Sequence, residues 1–146
     1  MWRSTRPVIP NRPRIFSAND PWTRWNHVRG WAALASAGQN IVSGSNLYGG
    51  THTLFHQTLP RFGIETSVID SADNDQWEAA IRPNTKVFFF ETPANHTLDV
   101  VDLEFVCGLA RSRGITTVVD NAFATSALQR PMEFGADIVA YSATKL

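Results

Sequence analysis

Residues 86–91 read Lys-Val-Phe-Phe-Phe-Glu, an apolar run that begins after a lysine and ends at a carboxylate. Four successive apolar residues leave no polar face, so a strand formed by them must be buried on both sides. Strands of that kind are typical of parallel sheets that are covered by helices on both faces. The run therefore predicts an α/β protein.

Similar runs occur on both sides of this one, and helix-length segments separate them. The other runs are NIVSGS at 40–45, IETSVID at 64–70, TTVVDN at 116–121 and DIVAYS at 137–142. Helices are predicted at about 51–62, 75–81 and 103–113, with a short helical turn before the last strand. Since crossovers between parallel strands are right-handed, we expect a doubly wound α/β layer with a mostly parallel sheet.

The ends of the predicted helices carry the residues that such ends favour. Gly63 and Gly114 follow two of the helices, and glycine readily adopts the left-handed backbone that ends a helix. Asp73 or Asn74 can cap the helix that contains Trp77. These signals support the predicted boundaries.

Residues 1–38 differ from the rest of the chain. The first 31 residues contain six arginines and one acid, Asp20, and the chain as a whole has no net charge. Prolines at 7, 10, 13 and 21 forbid a continuous helix there. We expect 1–38 to be an atypical basic, Trp- and Pro-rich leader outside the fold, and 39–146 to be the domain. A basic arm that stacks on single-stranded nucleic acid is the alternative for the leader.

Composition narrows the class of protein. With 146 residues, 43% of them hydrophobic, the chain can form one domain with a sizeable core. Zero net charge argues against a nucleic-acid binder, and no apolar run reaches the ~18–20 residues that span a bilayer. A single cysteine, Cys107, excludes an internal disulfide framework and fits a reducing, cytoplasmic location.

Polar residues stand at the carboxyl ends of the predicted strands, where open parallel sheets bind ligands. They are Asn46 and Tyr48 after the first run, Glu91 and Asn95 after the third, Asp120 and Asn121 at the end of the fourth, and Ser142, Thr144 and Lys145 after the last. Each of these residues could instead have a purely structural role. Asp120 could cap the following turn, and Lys145 could be a solvent-exposed residue at the end of the chain. Because all of them are predicted at the same edge of the sheet, a ligand-binding site there is favoured.

These groups together suit pyridoxal phosphate. A lysine can bind the cofactor aldehyde covalently, and Lys145 is the candidate because Lys86 lies at the other end of its strand. A carboxylate can keep the pyridine nitrogen protonated, hydroxyls can bind the phosphate, and an aromatic ring can stack on the cofactor.

Other sites are less well supported. The glycine-rich phosphate motifs of dinucleotide and P-loop proteins are absent, which weakens a generic nucleotide-binding alternative. His52 and His56 could share a metal on a helix face, but Thr53 stands where a zinc protease motif needs glutamate. Cys107 lies in an apolar helix and is expected to be an inert core thiol.

Five motifs resemble the Cys/Met-metabolism family of fold-type I pyridoxal-phosphate enzymes. They are SNLYGGTHTLFHQTLPRFGIE, VFFFETPAN, VVDNAFAT, LQRPMEFGADIV and YSATK, in the family's order between about 40 and 146. The resemblance implies the large, cofactor-binding domain of a transferase or lyase of this fold type. It also implies that the full-length proteins are homotetramers built from active dimers.

Matched position by position, the resemblance makes Lys145 the residue that binds the cofactor aldehyde. Ser142 and Thr144 would contact the phosphate, and Asp120 would pair with the pyridine nitrogen. Tyr48 would stack on the ring and assist proton transfer.

The resemblance adds two further residues to this site. Asn95 would approach the phenolic oxygen of the cofactor, and Glu91 would support Asn95.

The implied activity is γ-replacement on O-succinylhomoserine or O-acetylhomoserine with sulfide, which gives homocysteine in methionine biosynthesis. The sequence of the YSATK motif and that of the stretch 76–95 are most similar to the O-succinylhomoserine sulfhydrylase subgroup. Gly50 stands where methionine γ-lyases place a cysteine. Cystathionine γ-synthase or methionine γ-lyase activity, or a non-enzymatic pseudogene product, are the alternatives.

Some positions depart from the family's pattern. His96 replaces the usual proline after Asn95, and the family's Ser-Gly-Met phosphate segment and its upstream Tyr and Arg have no match. The family's C-terminal domain, which grips the substrate carboxylate, is expected to be missing. We therefore expect an inactive fragment of the large domain.

Overall fold

The apolar run 86–91 lies in an inner strand of a six-stranded parallel sheet. A computed structural model of the protein describes the backbone of residues 14–17 and residues 30–142. The strands are β1 Arg14–Ser17, β2 Asn40–Gly44, β3 Glu65–Ile69, β4 Thr85–Glu91, β5 Thr116–Asp120 and β6 Ile138–Tyr141. Their order is β1-β6-β5-β4-β2-β3 and all neighbours pair in parallel. The predicted fold class is confirmed.

Helical segments connect the strands. They are α1 at 30–34, α2 Gly49–Thr53, α3 Asn74–Ala79, α4 Leu103–Arg113 and α5 Thr125–Leu128, with a 3-10 turn at Pro131–Phe134. The helix predicted at 51–62 is composite, because α2 continues as a π-helical turn, Leu54–Thr58, and a 3-10 turn, Leu59–Phe62. Within the described ranges, none of these helices is long and apolar enough to cross a membrane.

One face of β4 packs under the first helices of the described chain. Val87 and Phe89 point to this face and join a buried cluster with Trp31 and Phe55. The Trp31 ring lies 4.9 Å from that of Phe55 and 5.2 Å from that of Phe89, both edge-on. Such contacts add to the hydrophobic stabilisation of the burial itself.

The opposite face of β4 packs under α3 and α4. Phe88 and Phe90 point to this face and contact Trp77 of α3 at ring distances of 4.9 and 5.4 Å. Val106 of α4 completes the same cluster. Burial of both faces is the physical reason that the run 86–91 has no polar side.

The N-terminal boundary of the domain differs from the expectation. Trp31 is 9% exposed and Ala35 is 2% exposed, and both belong to the core cluster below β2 and β4. The strand β1 also pairs with β6 in register. The predicted start of the domain at residue 39 is therefore too late, because the large apolar surface of Trp31 is buried against the sheet.

Helix ends follow the predicted signals. Gly63 and Gly114 have φ of 72° and 65°, in the left-handed region that favours glycine. Asp73 caps α3 by accepting a hydrogen bond from the Asp75 N–H at 3.0 Å. Asp102 caps α4 in the same way, through the Phe105 N–H at 3.0 Å.

A buried polar contact joins the amino ends of β2 and β4. The Thr85 hydroxyl donates to Oδ1 of Asn40 at 3.0 Å, and the two residues are paired in the sheet register. Asn40 is fully buried and Thr85 is 5% exposed. The contact satisfies polar groups that would otherwise be costly to bury.

Candidate functional site

The parallel sheet brings the carboxyl ends of its strands to one edge. In the register of β4 and β5, Glu91 lies beside Asp120, and in that of β5 and β6, Asp120 lies beside Ala140. The Asn121 N–H donates to the Ala140 carbonyl at 3.0 Å, two residues before Ser142. Polar residues far apart in the chain are therefore neighbours, as expected for a parallel sheet.

Glu91 contacts the loop that carries Tyr48. Its Oε1 accepts a hydrogen bond from the backbone N–H of Tyr48 at 2.6 Å. Glu91 is only 7% exposed, so this bond lies in a poorly solvated place where a charged acceptor binds strongly. Glu91 therefore holds Tyr48, the N-cap residue of α2, a role that the sequence did not indicate.

The pKa of the Glu91 carboxyl is raised to about 7. Burial is the main cause, the hydrogen bond from Tyr48 opposes it, and the negative charge of Asp120 adds to the rise. A carboxyl of this kind changes its charge near neutral pH instead of near its ordinary value of about 4.3.

This shift makes the stability of the chain depend on pH. A carboxyl whose pKa is higher in the folded than in the unfolded state stabilises the fold at low pH. That contribution is lost as pH rises from about 4.3 to about 7. We expect the free energy of unfolding to fall by as much as about 3 kcal/mol over this interval because of Glu91 alone.

Urea unfolding between pH 4.5 and 8 tests this expectation. Glu91→Gln should flatten the pH dependence, whereas the matched variant Glu78→Gln should keep it, because Glu78 is an exposed partner of Arg113. Equal slopes in the wild type and Glu91→Gln would contradict the shift.

Asp120 both caps a turn and faces the edge. Its Oδ1 accepts the Ala122 N–H at 2.9 Å, and its carbonyl accepts the Thr92 N–H at 3.2 Å. The turn cap, considered as an alternative to a functional role, is thus present. It orients the carboxylate at the end of β5, which is compatible with the predicted role.

Tyr48 presents its ring to the surroundings. Its side chain is 62% exposed although it stands next to the buried Glu91. A side chain at position 50 would meet Cε1 of the Tyr48 ring at 3.3 Å, so Gly50 leaves space for the ring. An exposed aromatic face over a glycine turn can accept a flat ligand.

The loop that contains Asn95 follows β4 and lies at the same edge. Asn95 is exposed. The loop is held by Asn46, whose side-chain amide donates to Asp99 at 2.9 Å and to Thr97 at 3.2 Å. Glu91 bonds to Tyr48, so the predicted support of Asn95 by Glu91 remains a prediction.

The last candidate residues lie at the end of the chain. Ser142 follows β6 and is partly buried. Thr144 and Lys145 lie outside the described residues, so their predicted roles remain predictions.

The competing sites gain no support. The rings of His52 and His56 are 4.1 Å apart and both are exposed, but among the described residues no group of three or more possible ligands could hold a metal. Cys107 is 1% exposed, and burial raises the pKa of its thiol to about 11. It is the inert core thiol that the sequence predicted.

Two residues at the carboxyl edge of the sheet were not among the predicted site residues. Asn121, which is fully buried, and Gln129 lie directly behind Asp120 and hydrogen-bond to each other. Asn121 stood in the predicted edge, but nothing in the spacing of the sequence indicates that Gln129 reaches it.

The donor set fits pyridoxal phosphate. Asp120 offers an oriented carboxylate for a ring nitrogen, Tyr48 an exposed aromatic face, and Ser142 a hydroxyl at the neighbouring strand end. A parallel α/β sheet with this set at its carboxyl edge is the architecture of a cofactor-binding α/β enzyme domain.

The chain belongs to the family described as Cys/Met metabolism PLP-dependent enzymes, whose family model matches residues 28–146. Pyridoxal phosphate is thus the cofactor of its family. The match begins upstream of residue 39, in agreement with the burial of Trp31.

Curated relatives agree with this family. O-acetyl-L-homoserine sulfhydrylase of Corynebacterium glutamicum is 49% identical over 113 residues, which are 77% of this chain and 26% of that protein. O-succinylhomoserine sulfhydrylase of Pseudomonas aeruginosa is 41% identical over 113 residues, 77% of this chain and 28% of that protein. The chain thus spans about a quarter of the length of these relatives.

Solved structures agree as well. Cystathionine gamma-lyase from Lactobacillus plantarum superposes with a TM-score of 0.75 at 36% identity, over 78% of this chain and 30% of that one. O-acetylhomoserine sulfhydrylase of Wolinella succinogenes gives a TM-score of 0.73 at 36% identity, over 77% and 32%.

Proposed function

We propose that the chain is part of an enzyme that replaces the γ-substituent of an O-acylhomoserine by sulfide and so forms homocysteine. The observation that carries the proposal is the edge where Tyr48, Glu91 and Asp120 meet, in a chain of this family. Two relatives with sulfhydrylase names support the substrate class.

The proposed binding roles follow from the chemistry of each group. The Asp120 carboxylate accepts a hydrogen bond from the pyridine nitrogen and keeps that nitrogen protonated. The Tyr48 ring stacks on the cofactor, and its position is held by Glu91. Ser142 and Thr144 donate hydrogen bonds to the phosphate. Asn95 is proposed to approach the phenolic oxygen.

The proposed catalytic roles fall to Lys145 and Tyr48. When bound, the cofactor supplies a ring that withdraws electrons from the substrate α-carbon. The Lys145 amine is proposed to hold the cofactor aldehyde and later to move protons between the α- and β-carbons of the substrate. Tyr48, which lies beside the same edge, is proposed to assist that transfer.

The acyl group of the substrate is part of the proposal. The YSATK wording favours O-succinylhomoserine, and the higher identity to the Corynebacterium glutamicum relative supports O-acetylhomoserine. The second candidate is a lyase or synthase activity on related sulfur amino acids. Its support is the 45% identity to a cystathionine beta-lyase and the 44% identity to an L-methionine gamma-lyase.

Cellular location and oligomeric assembly are also part of the proposal. The single cysteine of the chain, Cys107, is a buried free thiol, which supports a reducing, cytoplasmic location. The family resemblance supports a homotetramer built from active dimers.

A titration with pyridoxal phosphate tests the cofactor site. We expect saturable binding by the chain, and we expect Asp120→Asn to weaken it about tenfold to a hundredfold because a charge-assisted hydrogen bond is lost. The control Asp137→Asn should keep the wild-type affinity, since Asp137 bonds to Thr117 at the opposite edge of the sheet. Absence of saturable binding by the wild type would reject the site and favour a non-enzymatic product.

An activity assay tests the reaction. Homocysteine formed from sulfide is measured with O-acetylhomoserine and with O-succinylhomoserine as alternative substrates, and cystathionine and methionine cleavage are measured beside them. The ratio of the first two rates identifies the acyl group. Faster cleavage of cystathionine or methionine would favour the second candidate.

A further inference from the structure

A bridge of side-chain amides lies behind the carboxylates of the candidate site. The Gln129 amide nitrogen donates to the Thr92 carbonyl at 2.8 Å and to Oδ1 of Asn121 at 3.1 Å. The Asn121 amide nitrogen donates in return to the Gln129 carbonyl at 2.8 Å and to the Thr125 carbonyl at 3.1 Å. The bridge therefore joins the segments that follow β4 and β5 to α5.

The bridge is partly buried, and both side-chain donors of Gln129 are used. Thr92 and Asn121 are both 0% exposed. A side-chain amide has two N–H donors, and both donors of Gln129 have acceptors in the bridge. If Gln129 lost its amide, two buried oxygens would lose a partner, which is unfavourable wherever water cannot replace it.

The position of the bridge links it to the site. Glu91 and Asp120 are register partners on the adjacent strands β4 and β5. Thr92 directly follows Glu91, and Asn121 directly follows Asp120. The Thr92 N–H also donates to the Asp120 carbonyl at 3.2 Å. A bridge between the two following residues limits how far the strand ends that carry the two carboxyl groups can move apart.

We propose that Gln129 and Asn121 are positioning residues that fix the separation of the strand ends carrying Glu91 and Asp120, and so the placement of Asp120 toward the cofactor, an inference that rests on the proposed function. They act through the residues that they bond and do not themselves touch the cofactor. The bridge sets the spacing of the two carboxylates before any ligand arrives.

The substitution Gln129→Met tests the proposal, because methionine keeps the length of the side chain and removes both donors. A matched control is Gln76→Met. Gln76 is also partly buried and also makes two side-chain hydrogen bonds, to Asp70 N–H at 2.9 Å and to Asp73 at 3.0 Å. Both variants lose the same groups, but only one of them loses the bridge. Gln129→Ala, which leaves space for water beside the two oxygens, is the second variant if Gln129→Met does not fold.

Two measurements separate positioning from general stability. The first follows the pKa of the Glu91 carboxyl by carbon NMR without any cofactor, where Asp120 and the Tyr48 N–H are the neighbouring groups. The second is the dissociation constant for pyridoxal phosphate. We expect Gln129→Met to lower the pKa of Glu91 slightly from about 7, because Asp120 contributes to the rise less than burial does, and to weaken cofactor binding about tenfold. Gln76→Met should change neither.

The outcomes are distinct. If both variants lose stability equally and neither quantity changes in Gln129→Met, the bridge is only structural and the proposal is wrong. If the wild type does not bind pyridoxal phosphate, the proposed function fails. The pKa of Glu91 then still decides whether the bridge positions the two carboxylates.

Discussion

Replacement of Lys145 by alanine is expected to abolish covalent attachment of pyridoxal phosphate to the chain. Only a lysine side chain offers the primary amine that binds the cofactor aldehyde tightly, and borohydride reduction makes that bond permanent. Mass spectrometry of the reduced wild type should therefore find one cofactor adduct, on the peptide that contains Lys145. The variant should carry none.

Lys86 provides the matched control, because the sequence contains no other lysine besides these two. It lies five residues before Glu91 on β4, which corresponds to about 16 Å along an extended strand. Its amine is thus at the opposite edge of the sheet from Asp120 and Tyr48. Lys86→Ala should keep the full adduct, and equal labelling of Lys145→Ala and the wild type would contradict the role of Lys145.

Among the variants considered, Trp77→Ala is expected to lower the free energy of unfolding most. Trp77 is fully buried against Phe88 and Phe90, and its indole N–H donates to the Ser71 carbonyl at 3.1 Å. A cavity of this size costs about 3–5 kcal/mol. Since domains are stable by only about 5–15 kcal/mol, a large part of the variant should be unfolded at moderate urea concentrations.

Urea unfolding followed by circular dichroism measures this loss. Trp77→Phe keeps an aromatic ring and removes the hydrogen bond to Ser71, so it should lose less than Trp77→Ala. Phe105→Ala on α4 is the surface control, because Phe105 is 37% exposed. A loss below about 1 kcal/mol in Trp77→Ala would show that α3 does not stabilise this face of the sheet.

Most of the fold could be predicted because most strands are visible in the sequence as short apolar runs. The segment 86–91 became part of β4, and α4 has the predicted bounds, with Gly114 at its end as predicted. The helix after β2 was predicted as regular, but its π-helical turn has no signal in the spacing of apolar residues. The packing of Trp31 was missed because the arginines and prolines around it resemble an unfolded leader.

The candidate site was predictable in its location and not in its contacts. Topology alone places Glu91 and Asp120 at one edge, since parallel strands end together. The bond from the Tyr48 N–H to Glu91 and the reach of Gln129 depend on loop conformations, which propensity and periodicity do not encode. The support of Asn95 by Glu91, which the family resemblance implies, remains a prediction beside the observed bond from Tyr48.

The burial of β4 on both faces has a consequence for how the strands find their alignment. In a strand with one solvent-exposed face, a shift by one residue would expose apolar side chains to water. The free-energy cost of that exposure selects the register. Phe88 and Phe89 are both buried, so a shifted β4 would meet apolar neighbours on either side and the penalty would be small. The polar contact of Thr85 with Asn40 favours the observed pairing at the amino ends of β2 and β4, where the register shifts directly after Asn40. A polar contact at the amino end of β4 thus complements the apolar packing of its middle, which by itself distinguishes poorly between alignments.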